Sequence, residues 1–153
     1  MEVNKFLIVM ILLFIGIEIG LLSDFYLTPY KIFQNNAPSD YITSEQMHFY
    51  NGSFCIDINN SYYLSLYAPS GSMVPTISER ANGIEIEIKS PTDVHVGDIV
   101  SYSRDNETII HRIIKIENTP NGIYYTFKGD ANLISDPVVN YSRLLRKTIA
   151  IIY

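Results

Sequence analysis

The chain has 153 residues, enough for one domain with a hydrophobic core and too few for two comfortable ones. Its net charge of -5 and its lack of clustered Lys and Arg argue against a nucleic-acid partner, which needs positive charge to meet phosphates. Cys55 is the single cysteine, so no internal disulfide forms, and no Cys/His spacing points to zinc; neither a metal nor a cofactor is expected.

After a short N-terminus at 1–5, residues 6–22 read FLIVMILLFIGIEIGLL, with Glu18 as the only charge. As a helix these 17 residues span roughly 26 Å, slightly less than a hydrocarbon core of about 30 Å. Lys5 can snorkel at one end, and Phe25 and Tyr26 supply an aromatic anchor at the other. A cleaved leader is the rival reading. It fits worse, because the positions after the apolar run do not present the paired small residues a cleavage site needs, and alanine is absent until Ala37. The expectation is one transmembrane anchor in contact with the lipid bilayer. Lys5 before it and Asp24 after it favour a cytoplasmic N-terminus and an exported, extracytoplasmic or lumenal, C-terminal domain.

Residues 23–61 are rich in Asn, Tyr and Ser, contain Pro29 and Pro38, and show no helical period; they read as a loop-rich stalk or lead-in. A β-rich domain is expected over 62–153. Short β-branched or aromatic runs at 62–67, 84–88, 98–103, 108–116, 123–128 and 147–153 are punctuated by glycines. Residues 83–89, GIEIEIK, alternate as a half-buried strand does, and Pro120-Asn121-Gly122 reads as a hairpin turn. Arg143, Arg146 and Lys147 form the densest basic group and read as a solvated edge. His48 and His95 sit in loop-like surroundings and read as surface groups.

Three stretches carry reactive groups where strand apolarity should continue. In Pro69-Ser70-Gly71-Ser72-Met73-Val74-Pro75, a serine follows a glycine inside a turn fenced by prolines, which suits a nucleophile needing an open approach. A structural loop reads the same way. In Ile109-Ile110-His111-Arg112-Ile113-Ile114, strand alternation puts His111 on a face with two isoleucines and Arg112 on the opposite face. Such a histidine needs a partner on each nitrogen, whether it is structural or catalytic. Lys128-Gly129-Asp130-Ala131-Asn132 and Ser135-Asp136-Pro137 are turn signals holding two carboxylates six residues apart. Together these stretches contain a hydroxyl, an imidazole and a carboxylate, the parts of a serine protease.

These motifs resemble the type I signal peptidases. Ser70-Gly71-Ser72-Met73-x-Pro75 is similar to the nucleophile box of that family, Gly97-Asp98-Ile99-Val100 to the Gly-Asp turn and strand that follow it, Ile110-His111-Arg112-Ile113 to the base-bearing strand, and Lys128-Gly129-Asp130-x-Asn132 with Asp136 to the acid box. The resemblance runs from about Leu64 to Asp136, with all four elements in order. His111 stands where bacterial and organellar members carry lysine, so the chain looks like the archaeal and endoplasmic-reticulum branch. Lys89, Lys115 and Lys128 do not occupy the matching place. Val74, a longer segment between Pro75 and Gly97, and the end at Tyr153 depart from the family pattern.

The resemblance implies a signal-peptidase-like β-fold, shared with LexA-type peptidases, behind one N-terminal transmembrane helix. It implies a serine endopeptidase that removes signal peptides from exported preproteins, with secretion machinery as a further partner. Ser72 would be the nucleophile and His111 the base. Asp136 is the favoured acid with Asp130 second, and Ser70 with the Ser72 N–H would form the oxyanion hole. Met73 and nearby strand residues are the candidates to line a shallow substrate pocket. The other readings are a catalytically silent membrane-tethered β-domain that binds exported chains, and a peptidase dedicated to one substrate. Sequons begin at Asn51, Asn59, Asn106 and Asn140, as an Asn-rich chain produces by chance.

Overall fold

The computed structural model describes residues 36–153. The expected anchor at 6–22 and the first part of the lead-in lie outside them. Among the described residues no helix is long and apolar enough to cross a membrane.

The described chain is mainly β, as its short β-branched runs predict. Its strands are β1 (Met47–Tyr50), β2 (Ser53–Ile56), β3 (Tyr62–Leu66), β4 (Asn82–Glu87), β5 (Ile99–Arg104), β6 (Glu107–Thr119), β7 (Gly122–Lys128), β8 (Val139–Asn140) and β9 (Leu144–Ile152). Short 3-10 turns occur at Ser44–Gln46, Pro91–Asp93 and Tyr141–Arg143. β1 and β2 form a separate hairpin, and the other strands form one antiparallel sheet in the order β3-β4-β9-β5-β6-β7-β8. The hairpin corrects the loop-rich reading of 23–61. Its turn is Asn51-Gly52, with Asn51 at φ 47°, the dipeptide whose positive dihedrals match the twist of paired strands. His48 accordingly lies on a strand, although it remains exposed.

Each face of the large sheet carries apolar residues. Val100 pairs with His111, Tyr102 with Ile109, and Ile113 with Phe127, so these side chains share one face. Val100, Tyr102, Ile113, Tyr125 and Phe127 are fully buried there, and Tyr102 stacks on Phe127 with ring centroids 4.4 Å apart. Burial of each such side chain stabilises by roughly 1.5–3 kcal/mol. The opposite face carries Ile99, Ser101, Ile110 and Arg112. A second cluster of Met73, Ile77, Ala81 and Ile99, with Ile110 packed on it, seats the segment after Ser72.

Two charged residues are buried where alternation predicts exposure. Glu85, in the alternating GIEIEIK run, is 3% exposed, and the register between β4 and β9 shifts between Ile84 and Glu85. Lys147, read as part of a solvated edge, is 5% exposed. Its ammonium lies 3.3 Å from Asp98 Oδ2 and donates to the Asp93 carbonyl at 2.9 Å and to Ser39 Oγ at 3.0 Å. Ser39 in turn donates its N–H and hydroxyl to Asp98 Oδ1, both at 2.7 Å. This clasp ties the end of the lead-in to the sheet.

Burial alone would raise the Asp98 pKa, but hydrogen bonds from Ser39 and the His95 N–H, with the charge of Lys147, hold it below its ordinary value of 3.8. A depressed carboxyl contributes stability that is complete above the ordinary value and is lost as pH falls through the folded one. Asp98→Asn leaves Lys147 without its counter-charge and should cost about 3–5 kcal/mol at neutral pH. In urea titrations the gap between wild type and Asp98→Asn should narrow once pH drops below 3.8. A gap that is the same at neutral and strongly acid pH contradicts this.

Candidate active site

His111 owes its position to the end of β7. Arg112 pairs with Lys128, the last residue of β7, so His111 lies one residue past the end of that neighbour, beside the loop that leaves it. Val100 covers its other side on β5, and His111 is 6% exposed. The loop after β7 closes on itself. The Asp136 N–H donates to the Phe127 carbonyl at 2.8 Å and the Asn132 N–H to the Gly129 carbonyl at 2.9 Å. Asp136 therefore returns to the strand it left and faces the imidazole.

The serine arrives from the opposite direction. The Val74 N–H donates to the Gly71 carbonyl and the Ile77 N–H to that of Met73, so the segment runs as consecutive turns. Gly71 has φ +70°, a conformation that side chains disfavour and that a turn needs directly before Ser72. Met73, expected to line the substrate pocket, instead packs beneath the turn at 3% exposed and anchors it. The Ala131 N–H donates to the Ser72 carbonyl at 2.9 Å, joining this turn to the loop after β7. The approach requires glycine at 129, because a Cβ there would lie 2.6 Å from the Ser72 carbonyl oxygen.

The result is one contiguous line of polar atoms. Ser72 Oγ lies 3.1 Å from His111 Nε2, and His111 Nδ1 lies 2.5 Å from Asp136 Oδ2. Ser70 Oγ is 3.1 Å from Ser72 Oγ and accepts weakly from the Ser72 N–H at 3.4 Å. Two residues absent from the sequence-based expectations complete the surroundings of Asp136. The Tyr102 hydroxyl donates to Asp136 Oδ2 at 2.9 Å, and Arg104 Nη1 lies 3.6 Å from Oδ1. Burial first, and then the neighbouring carboxylate, push the Tyr102 pKa well above that of an ordinary tyrosine, so it remains a donor. Strand alternation places Tyr102 on the His111 face, but no local signal says that Asp136 returns above it.

Asp130 has a different partner. Arg112 Nε donates to its Oδ1 at 2.8 Å and Arg112 Nη2 to its Oδ2 at 2.6 Å, a bidentate pair. The Thr76 hydroxyl also donates to Oδ2, at 2.5 Å. Both charged side chains are nearly inaccessible, at 6% and 2%. Of the two carboxylates that the sequence leaves open, Asp136 lies on the imidazole and Asp130 on the guanidinium. Among the described residues no group of three His, Cys, Asp or Glu side chains is arranged to hold a metal ion.

Arg112→Met should lower unfolding free energy by about 3–5 kcal/mol, because it leaves the Asp130 carboxylate buried without its bidentate partner. Urea denaturation measures this; a loss below about 1 kcal/mol, the scale of an exposed pair, would show that the buried pair does not carry the loop. No family model, curated protein or solved structure matches the chain, so the reading of these residues rests on their chemistry and placement.

Proposed function

We propose that the chain is a membrane-anchored serine endopeptidase of the signal-peptidase kind, cleaving exported preproteins through Ser72. The observation that carries this reading is the Ser72–His111–Asp136 line, with contacts of 3.1 Å and 2.5 Å. The transmembrane anchor and the export substrate rest on the apolar run at 6–22 and on the motif resemblance.

In this mechanism His111 Nε2 takes the proton of Ser72 Oγ as the oxygen attacks the scissile carbonyl. Asp136 accepts from Nδ1–H, which holds the reactive tautomer and stabilises the imidazolium that forms. The same imidazolium then protonates the leaving amine. Water attacks the acyl-enzyme by the reverse use of the same groups. The Ser72 N–H, whose bond to Ser70 Oγ is long at 3.4 Å, and the Ser70 hydroxyl, which rotates about its C–O bond, are the donors assigned to the developing oxyanion. Loss of one such donor costs about 2.7–4 kcal/mol of transition-state stabilisation.

Ser72→Ala and His111→Ala should abolish cleavage of a preprotein by the detergent-solubilised full chain, and Asp136→Asn should lower kcat by about 10⁴. Normal turnover by His111→Ala would remove the assigned base. A serine-directed phosphonate that labels wild type and spares Ser72→Ala separates this reading from a silent binding domain.

Tyr102→Phe tests the hydroxyl on Asp136. Removing this donor leaves more negative charge on the carboxylate facing Nδ1, which favours the imidazolium. The acid limb of the kcat/KM profile should move to higher pH, since the base is then protonated over a wider range. A profile superimposable on that of wild type would make Tyr102 a packing residue only.

A further inference from the structure

Beside Ser72 the sheet and the nucleophile segment enclose a cleft of ≈ 460 Å³. Apolar side chains, Leu66, Ile109 and Ile110 of the sheet among them, make up most of its wall, and a polar group is set into that wall. Ser65, Glu85, Ser101 and Arg146 all line it. The registers explain their common face: Tyr63 opposes Glu85, Glu85 opposes Thr148, and Arg146 opposes Ser101, which in turn opposes Ile110. Glu85 is 3% exposed, so its carboxyl borders the cleft from within the sheet.

A carboxyl in that position is costly unless something bonds to it. Burial raises its pKa, while the Ser65 hydroxyl and the charge of Arg146 pull it partly back. Arg146 is itself engaged elsewhere, with its guanidinium 4.0 Å above the Tyr63 ring. The polar group is therefore the Glu85 carboxyl with the Ser65 hydroxyl bonded to it, the Ser101 hydroxyl, which donates to the Arg146 carbonyl at 3.3 Å, and one nearby positive charge. An apolar side chain seated there would pack on Leu66, Ile109 and Ile110 but would offer the Glu85 carboxyl no hydrogen bond. A cationic side chain meets Arg146, and an anionic one meets Glu85 and Glu107, which also lines the cleft.

Resting on the protease reading above, we infer that this cleft is a specificity subsite for a neutral hydrogen-bonding side chain, a hydroxyl or an amide, at one substrate position preceding the cut, with Glu85 as its selecting residue. Sites built to hydrogen-bond a substrate group discriminate more strongly than apolar pockets do, because the analogue lacking the group leaves the site's own atoms unpaired.

The experiment uses the full chain in detergent and preprotein-derived peptides in which each of four positions before the scissile bond carries Thr or Val in turn. These side chains share shape and differ in the hydroxyl. Wild type should favour Thr by about tenfold or more in kcat/KM at one position. The affinity of the full-length Ser72→Ala variant for the same peptides, read by fluorescence anisotropy, should show the same preference. Adding Glu85→Ala should bring the Thr/Val ratio to about one in both readouts, while Glu85→Gln, which still hydrogen-bonds, should keep it above one. Peptides cleaved with equal efficiency at every position would overturn the subsite and leave the protease standing. Binding preference that depends on Glu85 in a chain that cleaves nothing would support the subsite and remove the protease. The wild-type comparison alone decides against the inference if it shows no preference, even if a Glu85 variant fails to fold.

Discussion

The buried pairing of Arg112 with Asp130 is the constraint on which the site's assembly depends. Arg112 and His111 are consecutive on β6, so they point to opposite faces of the sheet. On one face the guanidinium holds Asp130 by two hydrogen bonds and donates to the Gly97 carbonyl at 2.8 Å. That fixes the start of the loop after β7. Ala131, the next residue, is bonded to the Ser72 carbonyl, and Asp136 closes the loop against Phe127. Serine and aspartate thus meet the imidazole with the help of one loop whose root is clamped by the residue beside His111. A reacting constellation tolerates displacements of only about 0.5 Å, so a clamp adjacent to the histidine does more than a distant one of equal strength.

The other face uses its apolar core for the same purpose. Tyr102 is fully buried and stacked on Phe127, yet its hydroxyl reaches Asp136. The ring cannot shift without disturbing the core, so the hydroxyl is a donor of fixed position. Phe127 contributes twice, with its ring under Tyr102 and its carbonyl accepting from the Asp136 N–H. Asp136 is therefore oriented from its own backbone, from the tyrosine and, more loosely, from Arg104. A carboxylate held in this way keeps its charge directed at Nδ1, which is where an imidazolium would need it.

Much of this was legible in the sequence, and what was not has physical causes. The β class follows from β-branched runs between glycines. The residues of the candidate site stood out because Ser72, His111 and the two aspartates interrupt segments whose neighbours are apolar or turn-forming. The choice between Asp130 and Asp136 was not visible, since it depends on where a loop returns, and return is set by Phe127, Gly129 and Ser72 together. Met73 was misread for a related reason: a residue next to Ser72 can point into a cleft or under it, and the register of the turn decides. The hairpin at Asn51-Gly52 did carry a local signal, which the polar composition around it obscured.

Buried charge was the least legible feature, and it separates two kinds of cost. Lys147 and Asp98 sit at 5% and 1% exposure, and each finds its partner together with Ser39 and backbone groups, so their desolvation is offset inside the fold. Neither residue touches the cleft, and architecture accounts for both. Glu85 is as deeply placed, but it borders open space beside Ser72 and its neighbouring cation lies over an aromatic ring. Glutamate at that point of β4 keeps the alternation of the strand but carries the desolvation of a carboxyl, which the Ser65 hydroxyl and the Arg146 charge offset only in part. Under the proposed subsite that remaining cost has a use, since a carboxyl at the border of a cleft can distinguish one peptide side chain from another of the same shape.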